Sequence, residues 1–162
     1  MYRRLFLNFV VGFLVAGCGA SREVRLARNT TLIVTRHGDR DGEVLSLKGQ
    51  QRALALVSAL QGMALDAIYS PGIKRNLDTA APLSNARGLP IERRTQENPA
   101  PRLAQEAAGR SVIWIGNKGN IQNIWDSFAL LEPAPLEYGD LHIVRVDANG
   151  RVTVERRRFG PT

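Results

Sequence analysis

The chain is short of the residues that usually staple or metallate a small domain. Its 162 residues include a single cysteine, Cys18, so no disulfide can form within it. Histidine occurs twice, at His37 and His142, and aromatic residues make up only 6%. No histidine, cysteine or carboxylate cluster has metal-ligand spacing, and no metal or other cofactor is expected. The longest apolar run, Leu5 to Ala16, is too short to span a bilayer. There is no internal repeat and no low-complexity segment. With 44% hydrophobic and 23% charged residues the composition is that of one globular domain with a well-buried core. The formal charge is +7, but the arginines are scattered except for Arg156, Arg157 and Arg158, which read as a solvated face or tail. Such a balance suits nucleic acid, an anionic membrane surface or phosphorylated substrates alike, so charge alone does not choose a partner.

The amino terminus carries Arg3 and Arg4 ahead of the apolar run, which is the layout of a secretory leader. It closes on Leu14-Val15-Ala16-Gly17-Cys18. This resembles the bacterial lipoprotein signal, in which cleavage falls before a cysteine that becomes lipidated. The resemblance implies a leader over residues 1–17, lipidation at Cys18, a polar tether over 18–30 and a catalytic or binding domain over 31–162. Acyl chains would hold the protein to a membrane of the bacterial cell envelope. Gly19 after the cysteine points to the periplasmic face of the outer membrane.

From Thr31 the chain alternates strand and helix patterns. Thr31 to Thr35 is a short β-branched run suited to a strand buried on both faces, and it ends in Arg36-His37-Gly38. Ala53, Leu56, Val57 and Leu60 fall at helical spacing, with Ser46 as the cap and Gly62 as the stop. Asp66 to Tyr69 is a second strand, and Ser70-Pro71 predicts a helix start in which Arg75 lies in the first turns. A weaker strand follows near Leu89 to Arg93, and Thr95 to Pro101 reads as loop. Ser111 to Gly116 is another buried run, followed by a helix with Ile121, Ile124, Trp125 and Phe128 inward. Leu141 to Val146 and Arg151 to Glu155 flank an Asn149-Gly150 hairpin turn. The expected fold is a three-layer α/β/α sandwich with a mostly parallel central sheet and a carboxyl-terminal hairpin at its edge.

A parallel strand delivers the residues after it to the carboxyl edge of its sheet, where open α/β folds keep their ligands. Arginine there offers a planar fork of donors to phosphate oxygens, and a neutral imidazole can attack phosphorus. Phosphoryl transfer needs positive donors around three equatorial oxygens and an in-line nucleophile. Arg36, Arg75 and His37 would supply these without a metal.

Four blocks in order, Leu32 to Gly38, Leu45 to Gly49 with Gln51 and Ala53, Asp66 to Pro71 with Arg75, Thr79 and Ala80, and the strand into Gly116, resemble the histidine phosphatase superfamily, also called phosphoglycerate-mutase-like. The resemblance implies that His37 is the nucleophile that becomes phosphohistidine and that Arg36 and Arg75 bind the phosphoryl oxygens. It also implies a second histidine after the strand ending at Gly116, where this chain has Asn117. Asn117 can offer phosphate only a neutral hydrogen bond, so the expected enzyme is slow. Lys118 restores the charge only if it folds inward, and a solvated lysine is the expectation. His142 reads as a strand-face residue. For the leaving-group acid, Glu97 is the first choice, with Asp39 and Glu43 as rivals. The expected function is hydrolysis of a small phosphomonoester by a membrane-tethered phosphatase, without nucleic acid. The alternative is an inactive relative that binds a phosphorylated or anionic ligand.

Overall fold

A computed structural model describes residues 24–162, so the leader expected over residues 1–17 and Cys18 lie outside the described residues. The central sheet has six strands in the order β5-β4-β6-β1-β7-β8. Strands β1 (Thr30–Arg36), β4 (Ala67–Pro71), β5 (Ile91–Arg94) and β6 (Ser111–Gly116) run parallel, while β7 (Asp140–Val146) and β8 (Val152–Arg158) form the antiparallel hairpin at one edge. A two-residue ribbon, β2 (Arg40–Asp41) with β3 (Val44–Leu45), projects from the turn after β1.

Alternation along the strands divides the core into two layers. Ile33, Ile68, Ile113 and Ile143 face Leu56 of α1 (Leu47–Ala59), Leu60 at the carboxyl cap of that helix, and Ala80 and Leu83 of α2 (Lys74–Arg87). Leu32, Val34, Trp114 and Val144 face Leu103 of α3 (Ala100–Glu106) and Ile121, Ile124 and Trp125 of α4 (Lys118–Ser127). The result is the expected sandwich, a mixed sheet between two helical layers. Among the described residues no helix is long and apolar enough to cross a membrane.

Several boundaries differ from the sequence reading. Val24 and Leu26, expected in the tether, pack against the Leu32–Trp125 layer, and Thr30 already opens β1. Ser70 is not a helix cap. Strand β4 runs on to Pro71, the Ser70 hydroxyl donates to the Ile115 carbonyl at 2.9 Å, and α2 starts at Lys74 behind Ile73, which makes no side-chain cap. Ser46, by contrast, accepts from the Gly49 amide and caps α1. The segment Thr95 to Pro101 is not all loop, because α3 begins at Ala100. Pro99 and Pro101 stand at the start of that helix, where a missing N–H costs nothing. Arg156 to Arg158 are strand residues rather than a tail.

Candidate active site

Strand β1 passes its last residues to the two faces of the sheet in turn. Arg36 goes to the α4 side and His37 to the α2 side, at the carboxyl edge of the parallel strands. The His37 amide continues the ladder by donating to the Gly116 carbonyl at 2.9 Å. The turn that follows is pressed against the start of α1. A Cβ on Gly38 would stand 2.6 Å from the Gly49 carbonyl oxygen, and one on Gly49 would stand 1.9 Å from that of Asp39, so only glycine fits at either place. The Gly38 amide donates to Thr79 Oγ1 at 2.9 Å, and that hydroxyl donates to the Arg75 carbonyl at 2.8 Å, tying the turn to α2.

His37 is 2% exposed. Its Nε2 lies 3.2 Å from Arg75 Nε, an atom that can only donate, so Nε2 carries the lone pair. The proton therefore sits on Nδ1 and is given to the Gly38 carbonyl at 2.8 Å. Burial, followed by the charges of Arg36, Arg75 and Arg40, lowers the imidazole pKa from 6.5 to about 4 against the opposing effect of the Gly38 hydrogen bond. At neutral pH the ring is uncharged, with a nucleophilic nitrogen turned toward an arginine.

The two arginines are held differently. Arg75, in the first turn of α2, uses Nε on His37 and gives Nη1 to Glu43 Oε2 at 2.9 Å, where the carboxylate is 82% exposed. Arg36 gives Nη1 to the Leu136 carbonyl and Nη2 to Tyr138 Oη, both at 3.1 Å, and stacks its guanidinium 3.9 Å from the Tyr138 ring centre. Its Nε is buried with no partner among the described residues. The Tyr138 ring centre is 5.9 Å from that of His37.

Asn117 caps α4 in a reciprocal box. Its Oδ1 accepts from the Asn120 amide at 3.3 Å, its own amide donates to Asn120 Oδ1 at 3.1 Å, and its Nδ2 reaches Gln96 Oε1 at 3.4 Å. That last contact brings the loop carrying Glu97 beside the end of β6. Glu97 itself is exposed, with only its backbone amide engaged, by Thr95 Oγ1, and no contact joins it to His37. Asp39 is committed to Arg52, which is buried, at 2.6 Å, and its carboxyl pKa is lowered by that hydrogen bond and charge against the effect of burial. An ionised, tightly paired carboxylate has no proton to give, so Asp39 is removed from the candidate acids. Lys118 is on the surface, paired with Glu137 at 3.1 Å. His142 is a buried strand residue edge-on to Trp125, with ring centres 5.5 Å apart.

The structure thus gathers Arg36, His37 and Arg75, with Glu43 attached through Arg75, and sets Asn117 at the neighbouring strand end. Sequence reasoning missed Tyr138 and Arg52. Neither lies in a pattern that announces it, since Tyr138 meets Arg36 across 102 positions of chain. Among the described residues no group of three or more histidine, cysteine, aspartate or glutamate side chains could hold a metal ion.

A histidine at the end of a central parallel strand, two arginines around it and helices on both faces make an α/β sandwich whose fold is similar to that of phosphoglycerate-mutase-like proteins. Residues 25–96 match the family model of the histidine phosphatase superfamily (branch 1). Solved structures share the fold at low identity. YhfR of Bacillus stearothermophilus superposes with a TM-score of 0.62 at 20% identity over 77% of this chain and 95% of its own. A protein histidine phosphatase, SixA, complexed with tungstate gives 0.60 at 14% identity over 79% and 96%. A mycobacterial glucosyl-3-phosphoglycerate phosphatase with inorganic phosphate gives 0.59 at 16% identity over 82% and 98%. No curated protein matches the chain in sequence.

Proposed function

We propose that this domain hydrolyses a phosphomonoester through a phosphohistidine at His37. The observation that carries the reading is the imidazole itself, buried, uncharged at neutral pH, and offering Nε2 beside the Arg75 guanidinium. In the first step Nε2 forms a bond to phosphorus as the phosphorus–oxygen bond of the ester breaks, and the departing oxygen takes a proton to leave as an alcohol. In the second, water attacks phosphorus, the phosphorus–nitrogen bond breaks and inorganic phosphate departs. Arg36 and Arg75 balance charge on the equatorial oxygens in both steps. The Arg75 bond to Nε2 has to yield when phosphorus arrives, freeing an arginine donor for the incoming oxygens. Glu97 and Glu43 are the carboxylates left to protonate the leaving oxygen, Glu43 standing nearer through its bond to Arg75.

One observation favours a second reading, a phosphate-binding protein without turnover. Asn117 is occupied as a helix cap and brings no positive charge to the site. Incubation with a panel of phosphomonoesters, with any acid-labile adduct trapped and located by mass spectrometry, separates the two. Phosphate on His37 with slow release supports the phosphatase. Phosphate binding without adduct or release, in folded protein, supports the binder.

The lipoprotein-like leader supports a further part of the same proposal, that acyl chains on Cys18 hold the domain at the periplasmic face of a bacterial outer membrane. Mass spectrometry of the amino-terminal peptide from cells tests it, with Cys18→Ser as the control that should shed the protein from membranes.

A further inference from the structure

We propose that Tyr138 is a positioning residue of the phosphate site, holding the Arg36 guanidinium so that its Nε, the nitrogen with no partner among the described residues, meets a phosphoryl oxygen beside His37. The inference rests on the phosphate-handling reading given above and adds a residue to it.

Three features of Arg36 carry the argument. Both terminal nitrogens are already used, Nη1 by the Leu136 carbonyl and Nη2 by Tyr138 Oη, each at 3.1 Å. The plane of the group is fixed by stacking 3.9 Å from the ring centre of the same tyrosine. The remaining nitrogen, Nε, is buried and has no acceptor among the described residues. Buried guanidinium nitrogens are normally satisfied, and an unmet one next to a nucleophilic histidine marks the place where an oxyanion would complete the set.

Tyr138 also touches the nucleophile's surroundings directly, with its ring centre 5.9 Å from that of His37 and the rings tilted by 57°. Its Oη accepts from Arg36, and among the described residues nothing accepts the hydroxyl's own proton, which remains available to the site.

The tyrosine is in turn anchored from the edge of the sheet. Arg158 of β8 donates Nη2 to the Tyr138 carbonyl at 3.0 Å and Nη1 to Asp140 Oδ1 at 2.7 Å, while Asp140 Oδ2 accepts from the Glu137 amide at 3.1 Å. A relay from the hairpin through the 136–138 segment to Arg36 thus gives the last arginine of the basic triplet a task. The relay matters more here because Asn117 adds no charge, Lys118 is turned to Glu137, and the orientation of two arginines sets the positive field at His37.

The test is a double-mutant cycle on Tyr138 and Arg36, read first by titration with inorganic phosphate and then by kcat and KM for p-nitrophenyl phosphate. Tyr138→Leu should weaken phosphate binding by about tenfold, and Tyr138→Phe, which keeps the stack but not Oη, should fall between it and the wild type. In an Arg36→Ala background the Tyr138→Leu change should have no further effect. Circular dichroism and melting of the Phe variant guard against misfolding. Wild-type affinity in Tyr138→Leu, or an equal loss in both backgrounds, overturns the proposal. A wild type that binds phosphate but forms no phosphohistidine overturns the catalytic reading alone, and the titration cycle still decides the role of Tyr138. A wild type with no affinity for phosphate overturns both.

Discussion

The two histidines of this chain lie on neighbouring parts of the sheet and are buried almost equally, 2% exposed at His37 and 3% at His142. Both have lowered pKa values with burial as the largest cause. They differ in everything that makes chemistry. His37 sits just past the end of a parallel strand with a hydrogen bond on each ring nitrogen, one from an arginine and one to a backbone carbonyl. His142 sits within an antiparallel strand, opposite Val34 on one side and Arg156 on the other, with Nδ1 buried and unpartnered among the described residues. Burial therefore does not make a histidine reactive. The role proposed for His37 rests instead on its position at the carboxyl edge, its tautomer and the cations around it.

The sharpest way to break this comparison is to delete each ring. His37→Ala should abolish phosphate release, a loss of at least about 10³-fold, because no second nucleophile stands near the arginines. His142→Leu should leave turnover intact and change stability little, since it removes a buried polar atom that has no partner among the described residues. Equal losses of activity from the two changes would show that the histidines are not separable in this way.

Two arginines extend the contrast between holding and acting. Arg52 is 3% exposed and saturated by Asp39, the Phe159 carbonyl and the Pro161 carbonyl, so it fastens the carboxyl-terminal segment to the turn after His37. Removing it leaves the half-buried Asp39 carboxylate and the Phe159 and Pro161 carbonyls without this donor. Arg52→Ala is expected to cost about 3–5 kcal/mol of stability, measured by denaturant unfolding. Among the described residues the Arg75 side chain has only His37 and an exposed carboxylate as partners. Arg75→Ala should spare the fold and lower kcat by about 10²–10³-fold, the range for loss of one transition-state donor. A destabilised Arg75→Ala with normal turnover would reverse the assignment.

Titration sharpens the comparison further. The folded pKa of His37 is about 4 against a reference of 6.5, so the unfolded chain binds more protons between these values. The contribution of His37 to stability is complete above pH 6.5 and is lost as the pH falls toward 4. The same shift keeps the nucleophile uncharged through most of that window, so the acidic limb of kcat/KM should lie near pH 4 and not near 6.5. Proton NMR of the His37 ring, with the Arg75→Ala variant moving its pKa upward, checks the cause.

Much of this was readable in the sequence, and the limits have physical reasons. The run into Arg36-His37-Gly38 was legible because β-branched residues and a sharp glycine turn are local signals, and Ser46 was legible as a cap for the same reason. Ser70 misled because a serine before proline fits a helix start as well as a strand end. What decided it was the Ile115 carbonyl, on a strand 45 positions away. Helix α3 was hidden by its two prolines, which are harmless in a first turn but read as loop in a string. Tyr138 and Arg52 were invisible because their meaning lies in partners about 100 positions distant, Arg36 and the Phe159 carbonyl. Local chemistry was written locally, and the shell that orients it was not.

The smallest expected effect concerns Asn117, where a structural and a chemical role compete for one side chain. As the cap of α4 it satisfies the Asn120 amide, so Asn117→Ala should cost about 1 kcal/mol of stability while Asn117→Ser, which keeps a capping oxygen, should cost much less. If capping is its whole task, phosphate turnover in Asn117→Ser should equal that of the parent. Asn117→His exchanges a good cap for an imidazole at the strand end beside Gly116, whose carbonyl already holds the His37 amide. That variant should melt earlier and yet release phosphate faster, because it adds a donor able to carry positive charge where the chain now has none. Slower release from Asn117→His at equal folded fraction would mean that the amide, with its reach to Gln96, shapes the site in a way an imidazole cannot replace.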